Sequence, residues 1–428
     1  MRIIILAALF ISASLSLLAQ KECVSFQYVE TLKSLDHKAA QNILSAEAFL
    51  QTRSASLYNN TSRNANIQVY KIPVIVHILV NSSTQSVSDD QVKSQIAALN
   101  RDFRRDNGDS TSTPSQFRTI AADAGIEFVL ATADPNGAPT TGIIRKSTSV
   151  GEWSSDDNIK FSSKGGDDAW DSKSYLNIWI GNTHNVAGYS SVPGGPADKD
   201  GILLSPNACG TMNVSASYNK GRTAVHEIGH WLGLKHIWGD TYCGDDGIDD
   251  TPKQGNFTSG CPSGFRSSCS NGSLGDMYMN YMDYTNDACM NLFTYGQTTR
   301  MRSAFTSGGP RASLLSSKGL NTPWSTTPYV SNTSSSAPKA TTPAPEAPAV
   351  TINIYPNPSS NVLNIDFKGD ETWVGKEVRI IAMNGLVMQT ALITSKVSKV
   401  DIHTLTPGMY LLQMMNGDTK VRQSFIKL

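Results

Sequence analysis

The chain has 428 residues, enough for two or three domains. Its 36 Lys and Arg residues balance 36 Asp and Glu residues, and this neutrality gives no electrostatic footprint for a nucleic-acid or anionic-membrane partner. Only 17% of residues are charged, and Ser, Thr, Asn and Gly are abundant, a composition that suits an exported protein.

Residues 1–19 have the layout of a signal peptide: Arg2, an apolar run over 3–18, and the small Ala19 at the cut. The run is short for a transmembrane anchor, and no other stretch would span a bilayer. Cys23 is not in a lipidation context, because Gln20-Lys21-Glu22 lacks the small residues that lipidation needs. Residues 20–63 are polar and helix-prone with little that resembles a core. Between a signal peptide and the large domain that follows they read as a propeptide, ending at an exposed processing site over 58–64.

The largest domain is predicted over 64–318. Residues 72–80 form a near-continuous apolar run, as in a strand buried on both faces. Ser88 caps a helix whose apolar stripe is Val92, Ile96, Leu99 and Phe103. Further strands are expected at 125–130, 175–181 and 201–204. The alternation predicts an α/β class with a mixed twisted sheet. A Gly-, Asp- and Cys-rich irregular stretch follows to Cys289, and a last helix is expected around 294–305. Residues 319–349, rich in Ser, Thr, Pro and Ala, read as a linker. Residues 350–428 recover period-two alternation, with strands at 378–381 and 409–413 and Asn384-Gly385 as a hairpin turn. That pattern predicts a small β-sandwich.

The chemistry is concentrated in His226-Glu227-Ile228-Gly229-His230-Trp231-Leu232-Gly233-Leu234-Lys235-His236. Histidines four apart share one helix face. Gly233 permits the turn that brings in His236, and three neutral imidazoles leave the fourth zinc position open for catalysis. Glu227 is placed as the general base. His37, His77, His184 and His403 are scattered and read as core or surface residues. The six cysteines, four of them clustered after the motif, read as disulfide-forming in an exported chain. They lack the Cys-x-x-Cys pairs of a structural zinc site.

The extended motif is the metzincin form. Together with Asn280-Tyr281-Met282-Asp283-Tyr284 it resembles the pappalysin family of metzincins. Ile72-Pro73-Val74-Ile75-Val76-His77, Leu99-Asn100-Arg101-Asp102-Phe103-Arg104, and Phe293-Thr294-Tyr295-Gly296-Gln297 with Arg300-Met301 are similar to that family too, so the resemblance spans residues 65–310. It implies a secreted zinc endopeptidase made as a zymogen and acting on protein or peptide substrates. Met282 would be an apolar floor beneath the metal, and Tyr284 a hydrogen-bond donor to the oxyanion. The resemblance further implies a preference for Arg or Lys just after the cut, for which Asp287 is the candidate pocket residue. It implies calcium as well, for which Asp246, Asp249 and Thr251 are the candidates. The disulfides it implies are Cys243–Cys269 and Cys261–Cys289.

Cys23 has two readings: a zymogen lock whose thiolate takes the open zinc position, or a disulfide with Cys209. The C-terminal stretch, with Tyr355-Pro356-Asn357-Pro358, Gly408-Met409-Tyr410 and Phe425-Ile426-Lys427-Leu428, resembles the type IX secretion sorting domain of Bacteroidetes. This implies an encounter with the type IX machinery, export across both membranes, and a secreted or cell-surface location. The rival reading is a catalytically weak adhesin or binding protein on a metalloprotease scaffold. All four motif residues being present argues against it.

Overall fold

The computed structural model describes residues 22–60, 67–81, 86–183, 186–329, 352–357, 359–382, 387–406, 408–416 and 419–427. The expected signal peptide, residues 61–64 of the expected processing site, His184 and the Asn384-Gly385 turn lie outside them. The chain divides into two units, Met1–Ser335 and Ser336–Leu428.

The first unit opens with β1 (Glu22–Cys23), α1 (Ser25–Leu35) and α2 (His37–Asn60). It continues through β2 (Tyr70–Val80), α3 (Asp89–Phe103), the short α4 (Ser115–Arg118), β3 (Ile126–Leu130) and β4 (Ile143–Ser147). Then come β5 (Leu176–Ile180), β6 (Val186–Ser190), β7 (Ile202–Leu204), α5 (Arg222–Trp231) and α6 (Tyr295–Ser303). The sheet order is β1-β6-β7-β5-β2-β3, with β4 extending the β3 edge along the second half of β2. All pairings are parallel except β6 with β7, so the sheet is mixed. Central β2 is buried without interruption from Ile72 to Leu79, because helices and loops cover both faces. Buried His77 bonds Asp167 and Asn177 and stacks on Trp179, which makes it a core histidine.

Helix α3 starts at Ser88, whose side chain accepts from the Gln91 amide, and lays Val92, Leu99 and Phe103 into the core. Strands β4 and β6 escape the periodicity reading, since Val-Ala-Gly-Tyr-Ser has no alternating apolar pattern. The N-terminal segment also differs from expectation. Tyr28, Val29, Leu32, Ala39 and Ile43 are buried in a cluster with Trp179 and Tyr189, and Leu50 enters the main core. These residues are too sparse to form a core among themselves and find their partners on the rest of the unit. Residues 319–329, read above as linker, instead pack on this unit. The Trp324 amide donates to the Gly137 carbonyl and the Tyr329 amide to Asp134. Two aromatic rings in a polar stretch are the signal that average composition hides.

Three buried arginines fix α5. At its start, Arg222 forms a fork to Asp102 on α3 and another to Asp109, and also donates to the carbonyls of Asp287 and Met290. At its end, Arg311 pairs with Asp200, donates to the Trp231 carbonyl and lies 4.1 Å over the Trp231 ring. Just beyond, Arg300 donates to the Gly233 carbonyl and to Glu47 on α2. Paired, hydrogen-bonded guanidinium groups tolerate such burial, and loss of one partner is costly.

The second unit has the antiparallel sheet β11-β10-β13-β14, formed by Val387–Leu392, Glu377–Ala382, Gly408–Asn416 and Thr419–Lys427. A smaller sheet, β12-β9-β8, is formed by Val397–Asp401, Val362–Asp366 and Asn353–Tyr355. Leu363 and Ile365 of one sheet share a core with Val378, Ile380, Leu412 and Phe425 of the other, the arrangement of a β-sandwich.

The Arg222 fork has a pH signature. Burial pushes the Asp109 carboxyl up, but hydrogen bonds from Arg222 and Lys220 win and hold it well below the usual carboxylate range. A depressed carboxylate contributes stability above its unfolded value, near 3.9, and loses it as pH falls through the folded value. Asp109→Asn is therefore expected to cost about 2 kcal/mol at pH 7. In urea titrations the gap to wild type should stay level down to about pH 4 and narrow below it.

Candidate metal centre

The ten residues of α5 carry His226, Glu227 and His230, and the Glu227 side chain lies against Gly188 of β6. The helix stops after Trp231, and Gly233 adopts φ +92°, a left-handed angle that a side chain resists. The chain then turns back and His236 joins the first two histidines. His226 and His236 Nε2 each lie 3.1 Å from His230 Nε2. These contacts are not ordinary hydrogen bonds, because every Nδ1 already faces an acceptor. His226 Nδ1 meets the Tyr281 carbonyl at 2.7 Å, His230 Nδ1 the Leu234 carbonyl at 2.9 Å, and His236 Nδ1 the Asp240 carboxylate. Protons on Nδ1 leave three Nε2 lone pairs converging on one point. A tetrahedral zinc with bonds of about 2.0–2.1 Å spaces its nitrogens by about 3.3 Å, so the donor set fits that ion. Burial and the neighbouring imidazoles push His226 well below the usual histidine value and His230 down to about 3. That keeps both neutral, as ligands must be.

Cys23 is the fourth member of this cluster. Its Sγ and the three imidazole nitrogens lie within 4.8 Å of one another. It is brought there by β1, which pairs parallel with β6 and sets Cys23 against Gly188. Cys23 and Cys209 are both free and buried, so the alternative disulfide between them is not formed. Burial and nearby Glu227 push the Cys23 thiol up; a cation at the histidines acts in the opposite sense.

Glu227 is fully buried. Its Oε2 accepts from Ser25 Oγ at 2.8 Å and from Cys23 Sγ at 3.5 Å. Burial pushes Glu227 up to about 7, and those two hydrogen bonds offset part of the rise. Ser25 Oγ in turn accepts from the Ser190 amide of β6. Tyr284 donates from its hydroxyl to the Cys23 carbonyl at 2.9 Å, and its ring lies 4.9 Å from His236.

Met282 is buried beneath α5. A Cβ on Gly229 would meet its Sδ at 2.4 Å, so only glycine lets the helix settle on this floor. Asn280 Oδ1 accepts from the Met282 amide, and Asn280 exchanges hydrogen bonds with Gln297, which also forms the capping box of α6 with Thr294. Asp287 is buried at the start of α5, where its Oδ2 accepts from the Lys220 and Arg222 amides, and burial pushes it up to about 6.

The stretch between α5 and α6 has no helix or strand and is held by Cys243–Cys269 and Cys261–Cys289. Within it, Asp246, Asp249 and Thr251 line a cavity of about 220 Å³. Asp246 Oδ1 accepts from the Ile248 amide and the Thr251 hydroxyl, while Oδ2 is buried without a hydrogen-bond partner among the described residues. Burial pushes Asp246 up to about 7. Asp249 is exposed at the cavity rim.

The sequence reading missed Asp240, Ser25 and Arg222. Asp240 had a signal, a carboxylate four residues after the third histidine. Ser25 and Arg222 had none, since their partners lie far away in sequence.

Known proteins resemble this chain in sequence and fold. The family profile described as pregnancy-associated plasma protein-A matches residues 160–306, and that of the secretion system C-terminal sorting domain matches 353–428. An extracellular metalloprotease of Arthroderma gypseum is 31% identical over 284 residues, covering 63% of this chain and 81% of that protein. Mature mirolysin of Tannerella forsythia, solved with a cleaved peptide, is 48% identical with a TM-score of 0.57, covering 58% of this chain and 97% of that one. A glutamate-to-alanine mutant of Tannerella forsythia promirolysin is 43% identical with a TM-score of 0.61, covering 69% of this chain and 96% of that one. The chain thus belongs to the pappalysin family of metalloproteases and carries a type IX secretion sorting domain at its C-terminal end.

Proposed function

We propose that the protein is an exported zinc endopeptidase, held latent by residues 20–63 and delivered by its C-terminal β-sandwich. The observation that carries this reading is the convergence of three Nε2 lone pairs beside a buried carboxylate and a tyrosine hydroxyl that already grips a main-chain carbonyl. Zinc on His226, His230 and His236 would supply a lowered water pKa and a polarised scissile carbonyl. Glu227 accepts the water proton on Oε2, the oxygen that Ser25 occupies in the latent chain, and delivers it to the leaving amine. Tyr284 donates to the oxyanion as it now donates to the Cys23 carbonyl.

Latency has two parts in this reading. The Cys23 sulfur, clustered with the three imidazole nitrogens, would hold the metal in place of water, and Ser25 occupies the base. Asp287 supports a preference for Arg or Lys after the cut, since a buried carboxylate at the start of α5 favours a cationic side chain beside it. The partnerless Asp246 Oδ2 supports calcium in the neighbouring cavity, with Asp249 and Thr251 as further oxygen ligands. The matched metalloproteases disfavour the adhesin alternative.

The mature enzyme is expected to cleave peptide libraries with Arg or Lys enriched after the cut. Glu227→Ala should retain one zinc per chain by metal analysis yet lose activity by at least about a thousandfold. Retained cleavage would sink the base assignment. In the uncleaved chain, Cys23→Ala should release chelator-sensitive activity before any processing; unchanged latency would remove Cys23 from the mechanism. Calcium at about 100 times its Kd should raise the Tm by roughly 5 °C or more. Asp246→Asn should abolish that increment, and a calcium response surviving in the variant would place the ion elsewhere.

A further inference from the structure

Beyond Cys23, the N-terminal segment makes a second deep contact, and what it contacts belongs to the rest of the catalytic unit. Helix α1 buries Tyr28 to 6% exposure. Its hydroxyl donates to Asp157 Oδ2 at 3.0 Å, and its ring lies 5.0 Å from that of Tyr189 on β6. The Tyr189 hydroxyl donates to Asp157 Oδ1 at 3.2 Å. Lys160, fully buried, pairs with Asp157 at 2.9 Å and lies 5.2, 5.4 and 4.9 Å from the rings of Tyr28, Trp179 and Tyr189. Lys199 reaches Asp157 Oδ2 at 3.2 Å. Asp157 itself has φ +67°, a left-handed conformation uncommon outside glycine. When residues 20–63 leave, Tyr28 is lost and the remainder of this socket stays.

The socket lies beside the strand on which a substrate would be laid. Adjacent residues of β6 face opposite sides of the sheet. Gly188 faces Glu227, and Tyr189 faces the socket. Direction follows from the two ends of α5. Ser191, just past β6, bonds Asp200, which accepts from Trp231 at the end of α5, whereas Asp287 sits at the start of α5. A substrate whose residue after the cut meets Asp287 therefore runs antiparallel to β6. Its residues before the cut lie toward Ser190 and the socket. With a side-chain period of two, the first and third residues before the cut face the Tyr189 side.

We propose that Asp157, Lys160 and Tyr189 form a specificity subsite of the mature protease for a phenolic side chain at the first or third position before the scissile bond, which Tyr28 fills in the latent chain. The inference rests on the protease reading and on Asp287 meeting the residue after the cut. A phenol suits the socket best. Asp157 accepts a hydrogen bond from its hydroxyl, the Tyr189 ring and the Lys160 ammonium pack on its faces, and the two lysines already present disfavour a third cation. A substrate carboxylate would meet Asp157.

The test uses the mature enzyme and peptides with Arg after the cut and Tyr, Phe or Ala at the first or third position before it. At one of those positions, kcat/KM for Tyr is expected to exceed that for Phe by about fivefold to tenfold. Phe should exceed Ala by about threefold or more. Asp157→Asn should bring the Tyr-to-Phe ratio close to one. Because Lys160 depends on Asp157 for its counter-charge, a second measurement leaves the enzyme unaltered. A synthetic peptide of residues 22–35 should inhibit it about fivefold more tightly than the same peptide carrying Tyr28→Phe. Equal rates for Tyr and Phe peptides, or a tyrosine preference confined to positions after the cut, would overturn the subsite while leaving the protease reading intact. Failure to cleave any peptide would overturn both.

Discussion

Everything at the centre depends on holding two imidazole nitrogens 3.1 Å from a third with their lone pairs facing one another. That arrangement is repulsive without a cation, so the rest of the fold has to impose it. Three acceptors on three different segments fix the tautomers: the Tyr281 carbonyl, the Leu234 carbonyl and Asp240. A helix of ten residues is too short to hold its own position, and buried guanidinium groups pin both of its ends. Met282 supplies the floor, and the glycine above it leaves room for the sulfur. The pre-organisation needed for catalysis is therefore bought by long-range polar contacts, which local helix propensity does not provide.

The N-terminal segment reads as an occupant of the cleft. It adds a strand to the β6 edge, offers a carbonyl to Tyr284, presents a hydroxyl to Glu227 and puts an aromatic side chain beside Tyr189. Its pairing with β6 is parallel. In the proposed substrate orientation the two chains run in opposite directions. A backbone lying backwards in the cleft offers its peptide bonds in the wrong sense for hydrolysis, which is an economical way for an enzyme to hold a peptide without cutting it.

The metal centre was legible because its spacing is a local code. Residues four apart on a helix, a glycine at the turn and one more histidine need no tertiary information. The buried strands β2 and β5 were legible for the same reason, as runs of apolar residues that suit a strand covered on both faces. Strand β6 was not, although it carries the cleft: Gly188 and Ser190 keep it narrow there at the expense of any hydrophobic pattern. Arg222 drew no reading from the sequence, because its partners Asp102 and Asp109 lie more than a hundred residues earlier. The N-terminal helices hid their burial because their apolar partners belong to other parts of the unit.

Leu50 carries one last consequence. It lies on α2, yet its side chain is a member of the main hydrophobic core and fills the space beside Gly233. On the proposed processing scheme the excised piece takes a core residue with it. The chain that folds and the enzyme that works then have different hydrophobic interiors. In the uncleaved chain the segment packs against the turn that delivers His236 and so helps to shape it. After its removal, that turn is held in place by Arg300 and the surrounding packing.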